Sequence, residues 1–141
     1  MSDDDSTTVR TPLLAGDDVL VRLEVLVLIA IGGFAGSNLR YFASLLLPGL
    51  GGTLLVNAVG SLVLGFLLYE AVYAGLLAER THFVVGTGFL SSFTTYSTFA
   101  LQTVGAAPAW MAANVVANYG LGFLGVFLGR ALARRVDGRS R

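Results

Sequence analysis

Four long apolar stretches, over residues 23–47, 53–77, 83–104 and 109–132, organise this chain. Each exceeds the roughly 20 residues that a helix needs to cross the hydrocarbon of a bilayer. The breaks between them are short. Pro48-Gly49-Leu50-Gly51-Gly52, Ala78-Glu79-Arg80-Thr81 and Gly105-Ala106-Ala107-Pro108 punctuate the pattern with glycine, proline and charge. No alternation of period two runs long enough to argue for a barrel. The pattern predicts an all-α integral membrane protein of four transmembrane helices joined by hairpin-length loops, with no soluble domain. Residues 22–133 are the expected transmembrane domain. An acidic tail (1–21) precedes it and an Arg-rich tail (134–141) follows.

Composition agrees. The chain has 141 residues, 55% of them hydrophobic, a mean hydropathy of +0.74 and only 13% charged residues. A soluble domain of this length has too little interior to hide that much apolar surface. Asp3, Asp4, Asp5, Asp17 and Asp18, with the helix breakers Thr11-Pro12 and Gly16, make the first segment a disordered extramembrane tail. It lacks the basic start and apolar run of a secretory signal. All nine basic residues are arginine. With four spans, Arg10, Arg22, Arg80, Arg130, Arg134, Arg135, Arg139 and Arg141 share one side and only Arg40 lies toward the other. The excess places both termini in the cytoplasm of a multi-pass protein of the cell membrane. An anionic-lipid patch at the Arg-rich end is compatible with that topology.

The charge inventory also limits the chemistry. There is no cysteine, and the lone His82 makes no metal site within one subunit. No nucleophile–base set and no phosphate-binding loop is visible, so neither an enzyme nor ATP coupling is expected. Glycine, at 18 residues, falls at packing intervals. Gly32 and Gly36, Ser61 and Gly65, and Gly125 and Gly129 are small-x-x-x-small pairs that let helix backbones approach.

The polar residues inside the spans are less easily assigned to packing. Ser91, Ser92, Thr94, Thr95, Ser97 and Thr98 crowd the third segment, beside Tyr96 and Phe99. Asn57 lies in the second, and Asn114 and Asn118 lie one helical turn apart in the fourth. Interhelical bonding explains any one asparagine as well as a pathway does. Three of them together with the hydroxyl cluster point to a hydrated path. No carboxylate sits near the middle, since Glu24 and Glu70 lie near helix ends, and Arg40 can snorkel outward. Neutral N–H and O–H donors and the positive edges of aromatic rings suit a small anion or a neutral polar solute better than a cation.

Three motifs, in order, resemble the Fluc-type (CrcB-like) fluoride channel family. They are G-G-F-A-G-S-N-L-R-Y at residues 32–41, G-T-L-L-V-N-A-V-G-S-L-V-L-G-F at 52–66 and G-T-G-F-L-S-S-F-T-T-Y-S-T-F at 86–99. The resemblance covers residues 23–132. It implies a dimer of antiparallel subunits with two fluoride pores at the interface, and a third helix broken at its centre. It also implies a structural Na+ at the dimer centre, held through backbone carbonyls that align with Ser91 and Thr94. The pore residues it assigns are Asn57, Thr95, Tyr96, Ser97, Thr98, Phe99, Asn114 and Asn118, with Arg40 at the interface. Ser91-Ser92 stands where relatives usually carry Gly-Gly, and Tyr96 where they carry Phe. The implied role is passive export of cytoplasmic fluoride, which lowers its toxicity. An antiparallel homodimer needs weak arginine bias, so the strong bias here favours pairing with an oppositely oriented paralogue. A small multidrug-resistance-like dimeric exporter shares the size but relies on a central glutamate, which is missing from the first span. A non-transporting membrane interaction protein would explain the glycines but not the hydroxyl cluster.

Overall fold

The computed structural model describes residues 16–75 and 77–138, and every regular element among them is helical. In order these are α1 (Gly16–Leu46), α2 (Leu50–Tyr69) prolonged by a π-helical turn (Glu70–Ala74), α3 (Glu79–Thr81), a π-helical stretch (His82–Leu90), α4 (Ser91–Phe93), α5 (Tyr96–Val104) and α6 (Pro108–Asp137). α1 starts at Gly16, earlier than the boundary at residue 22 expected from the charges, because Val19, Leu20 and Val21 extend its apolar run. The rest of the acidic tail, residues 1–15, and residues 139–141 lie outside the described residues. Arg134 and Arg135 sit in the last turn of α6, where cations complement the negative end of the helix.

Among the described residues, three helices are long and apolar enough to cross a membrane: Val19–Leu46, Leu50–Ala74 and Pro108–Asp137. Their outward faces are largely apolar, as at Phe34, Leu46, Leu68, Val116 and Phe127. The interior is correspondingly thin, with Val56, Leu67, Leu90, Phe93, Phe99 and Ala133 as its buried apolar side chains among the described residues. So much exposed hydrocarbon is stable against lipid or a second chain, not against water.

The segment over 83–104 is not one uninterrupted helix. The helical run that begins at Glu79 ends at Phe93, Thr94 turns to an extended conformation (φ −77°, ψ 159°), and Thr95 continues it (φ −149°, ψ 122°) before α5 begins. Ser91 itself is right-handed helical (φ −64°, ψ −27°), and no described non-glycine residue has a positive φ. The interruption therefore falls at Thr94-Thr95, after the serine pair, and asks nothing of those serines that glycine alone can do.

Two backbone-close helix pairs position this segment. α2 packs along α6, and α1 packs along residues 82–93. A methyl group at Gly129 would lie 1.9 Å from the Leu62 carbonyl oxygen, and one at Gly65 would lie 2.2 Å from that of Val126. Gly125 rests against Ala58 and Ser61 in the same seam. Gly32 and Gly36 similarly lie against the carbonyls of Val84 and Phe89. Contacts this close need a hydrogen atom in place of Cβ. At the far end of α2, Gly75 closes the π-helical turn in the left-handed region (φ 61°) and donates its N–H to the Glu70 carbonyl at 2.9 Å. The Glu70 carboxylate is 1% exposed. Its Oε1 accepts the Leu77 N–H, while Oε2 has no well-aligned hydrogen bond and relies on His82 Nε2 at 2.8 Å. This buried pair ties the end of α2 to the start of the next helical run.

Candidate functional site

The polar residues singled out in the sequence converge on the Thr94-Thr95 interruption. When a helix stops, the last carbonyls and the first N–H groups of the next helix lose their partners, and inside hydrocarbon each orphan is expensive. Here the chain's own side chains take several of them. Thr94 N–H and its Oγ1 both donate to the Leu90 carbonyl, at 3.0 and 2.9 Å. Thr95 is the N-cap of α5, its Oγ1 accepting the Thr98 N–H at 3.3 Å. The Thr95 N–H has no partner in either helix, while its C=O, as the N-cap carbonyl of α5, faces the first turn of that helix and can take a second donor. Asn57 of α2 binds both: Oδ1 accepts the N–H at 2.9 Å and Nδ2 donates to the C=O at 3.2 Å.

From Asn57 the hydrogen bonding continues into α6. Asn57 Nδ2 donates to Asn118 Oδ1 at 3.2 Å, and Asn118 Nδ2 donates to Asn114 Oδ1 at 2.9 Å and to the Asn114 carbonyl at 3.0 Å. Asn114 Nδ2 donates to Thr103 Oγ1 at 2.7 Å, and that hydroxyl donates to the Phe99 carbonyl at 2.6 Å. Asn114 and Thr103 are 6% and 8% exposed. Pairing of this kind is what lets amides occupy the interior of an apolar bundle.

An open-sided cavity of about 570 Å³ lies on one side of the interruption. It brings together Asn57, Thr95, Tyr96, Phe99 and Asn118, with Ser91 and Thr94 at its wall and Tyr119 opposite. Phe99 is 7% exposed and sits between two rings, Tyr96 at 5.7 Å and Tyr119 at 6.3 Å with an interplanar angle of 87°. In the edge-to-face pair the ring hydrogens of one partner meet the π face of the other, which fixes the Phe99 ring at the cavity wall. A second cavity, of about 290 Å³, lies on the other side and is lined by Arg40, Ser37, Ser44, Thr53, Thr95, Thr98 and Gln102. Thr95 is common to both.

The placements differ in kind. Asn57, Thr95, Tyr96, Phe99 and Asn118 share the first cavity, whereas Thr98 and Arg40 face the second. Asn114 lines neither and is buried behind Asn118. Ser97 is exposed, its Oγ 3.4 Å from Thr95 Oγ1. Thr103, Tyr119 and Gln102 were not among the residues expected from the sequence. Thr103 carried a weak signal, since a Thr four residues after an aromatic can bond back to that residue's carbonyl. Tyr119 beside Asn118 and the half-buried Gln102 carried none that separates them from ordinary helix residues.

Comparison with known proteins bears on what surrounds this site. The family described as CrcB-like protein, Camphor Resistance (CrcB), matches residues 27–130. The chain is 55% identical over 125 residues to a protein of Haloarcula marismortui named fluoride-specific ion channel FluC 1, covering 89% of this chain and 98% of that one. It is 53% identical over 115 residues to fluoride-specific ion channel FluC 2 of Halobacterium salinarum, covering 81% and 90%. Over 109 residues it is 49% identical to FluC 1 of Natronomonas pharaonis, covering 76% and 92%. The matched region contains α2, the interrupted segment and the Asn-bearing part of α6. The chain belongs to the CrcB-like family.

Proposed function

We propose that this chain is a subunit of a passive fluoride channel of the cell membrane, and not an enzyme. The observation that carries the reading is its 55% identity to a fluoride-specific ion channel across 98% of that protein's length. The purpose follows from weak-acid chemistry. Neutral HF enters, ionises in the cytoplasm and is trapped as fluoride, and a passive anion path lets the inside-negative potential drive it out.

In this reading residues 79–104 form a fourth span, interrupted at Thr94-Thr95. Non-helical backbone is tolerated at membrane depth where protein buries it or a polar cavity meets it, and both conditions hold here. The two cavities flanking Thr95 are the approaches, with Arg40 raising the local anion concentration at the second. Between them the anion passes Thr95, Ser97 and Thr98, the amides of Asn57 and Asn118, and the ring edges of Tyr96 and Phe99. Asn114 acts from behind Asn118. No full positive charge sits at the narrow part, so the ion is not trapped there.

The first cavity is open on one side, which supports a second subunit completing it in antiparallel orientation. The lopsided arginines favour a paralogue as that subunit, with both termini of this chain in the cytoplasm. Sodium at the dimer centre fits the same segment. Because Thr95 N–H is taken by Asn57, the Ser91 carbonyl loses its i+4 donor, and ψ of 159° turns the Thr94 carbonyl out of the helical direction. Such carbonyls are suitable ligands for a hard cation. When bound, sodium would supply fixed positive charge close to the anion path.

Reconstitution tests this. Liposomes loaded with fluoride or with chloride, carrying the chain alone or with an oppositely oriented paralogue, report efflux at an ion-selective electrode. The expected result is fluoride efflux far faster than chloride efflux from the paired sample and little from the chain alone. Robust flux from the chain alone would sink the heterodimer. Absence of fluoride efflux from both samples would sink the channel.

A further inference from the structure

The hydrogen bonds that run from Asn57 into α6 form one directed chain, and its two ends are both on the interrupted segment. It starts at the Thr95 N–H, passes through Asn57, Asn118, Asn114 and Thr103, and ends at the Phe99 carbonyl. A backbone N–H can only donate, so the Asn57 atom that meets Thr95 N–H must be its oxygen. That puts the Asn57 nitrogen toward Asn118, whose near atom must then be its oxygen, and the same logic orients Asn114. From the other end, a carbonyl can only accept, so the Thr103 hydroxyl spends its proton on Phe99 and presents a lone pair to Asn114. Both ends dictate the same direction. Flipping any one amide would set oxygen against oxygen on one side and N–H against N–H on the other.

We infer that Thr103 and Asn114 are positioning residues: by fixing the amide direction of Asn118 and hence Asn57, they hold Thr94-Thr95 open at a distance. The inference rests on the channel reading for its functional consequence and on geometry for the rest. Asn57 has no spare donor in this arrangement, because its two N–H groups go to the Thr95 carbonyl and to Asn118. The two N–H groups of Asn118 go to Asn114. These amides therefore shape the pathway while their protons are engaged. The groups left to meet a passing anion are the ring edges and the hydroxyls of the same segment. Thr103 reaches the ring site by a second route, since its hydroxyl holds the carbonyl of Phe99 itself. A residue that lines neither cavity is thus linked to the backbone interruption through three asparagines and to the backbone carbonyl of Phe99 directly.

The test compares Thr103→Val, which keeps shape and removes the hydroxyl, with Thr103→Ser, which restores it. Asn114→Leu and the double variant Thr103→Val/Asn114→Leu complete the set. Two readouts are taken on the full chain: amide hydrogen exchange across residues 94–96 in detergent, and fluoride efflux relative to wild type, with the paralogue present if wild type needs it. Thr103→Val and Asn114→Leu are each expected to speed exchange at Thr95 and to slow efflux by about tenfold. Thr103→Ser should return both to within about twofold of wild type. The double variant should be no worse than either single, because each single already breaks the chain. Unchanged Thr95 exchange in Thr103→Val, or a double variant whose loss is the product of the singles, would overturn the inference. Faster Thr95 exchange in variants of a wild type that passes no fluoride would uphold the hydrogen-bond chain and defeat the channel reading instead.

Discussion

Asn57 shows how much one side chain decides here. Its amide is the only group of the described residues hydrogen-bonded to both the N–H and the C=O of Thr95. Removing it strands the buried Thr95 N–H, at a cost of about 1–3 kcal/mol, and takes the donor from Asn118 Oδ1. Asn57→Asp is the sharper substitution. It keeps an acceptor for the Thr95 N–H but sets a second oxygen against the Thr95 carbonyl and Asn118 Oδ1, both of which accept from Asn57 Nδ2 in the native fold. Asn57→Asp is expected to lower fluoride efflux at least as far as Asn57→Ala, and to lower the melting temperature of the detergent-solubilised protein. An Asp variant with wild-type flux would show that the donor side of the amide does nothing. The presence of a buried amide at position 57 was legible in the sequence as a polar residue in an apolar run. Its role was not, because its partners stand 38 and 61 residues away along the chain. Thr95 was read as one of a row of anion-facing hydroxyls, and in the fold its Oγ1 caps α5. A capping role depends on the helix starting at the next residue, which propensity within the segment does not specify.

At the scale of elements, the small-residue pairs separate into positions that meet a neighbouring backbone and positions that meet nothing. Gly129 lies against Leu62, whereas Gly120, about two and a half turns earlier in the same helix and so on its opposite face, has no atom within 4 Å of where its Cβ would be. Gly129→Ala should push α6 off α2 and cost about 1–3 kcal/mol. Gly120→Ala should be neutral or stabilising by up to about 1 kcal/mol, through helix propensity alone. Chemical unfolding in detergent distinguishes them, and equal losses at the two sites would refute the assignment of Gly129 to the seam. The apolar runs and their glycine and proline breaks made α1, α2 and α6 legible within a few residues. The interruption was less so. Serine and threonine tolerate both helix and extended backbone, so the segment's own residues left the break unplaced, and the family resemblance implied only a broken third helix with carbonyls at Ser91 and Thr94. Asn57, presented from α2, selects Thr95 as the residue whose hydrogen bonds leave the helix.

The described part of the molecule exposes apolar surface on most outward faces, and in the topology expected from the sequence all its arginines but Arg40 fall on one side. Arg130, Arg134 and Arg135 are exposed on the last turns of α6 and add to the charge on that side. Replacing all three with Gln is expected to let a substantial fraction of chains insert the other way round. The native chain has no cysteine, so a single engineered cysteine in the 105–108 loop reports sidedness by membrane-impermeant labelling. A uniform orientation in that variant would show that these arginines do not steer insertion, and would reopen the homodimer. The same variant mixed with wild type gives a second readout, since in the proposed antiparallel dimer chains facing both ways would supply the oppositely oriented partner.

The sequence by itself determined the membrane character, the helical class, the small-residue seams and the polar segment where chemistry concentrates. These depend on local composition and spacing, which the bilayer reads directly as length and hydropathy. Tertiary structure alone decided that the break falls at Thr94-Thr95, that Asn57 supplies its missing partners, and that Thr103 and Asn114 complete the chain. Hydrogen bonds in an apolar interior are satisfied by whichever donor the packing brings within reach, and that is a property of the fold.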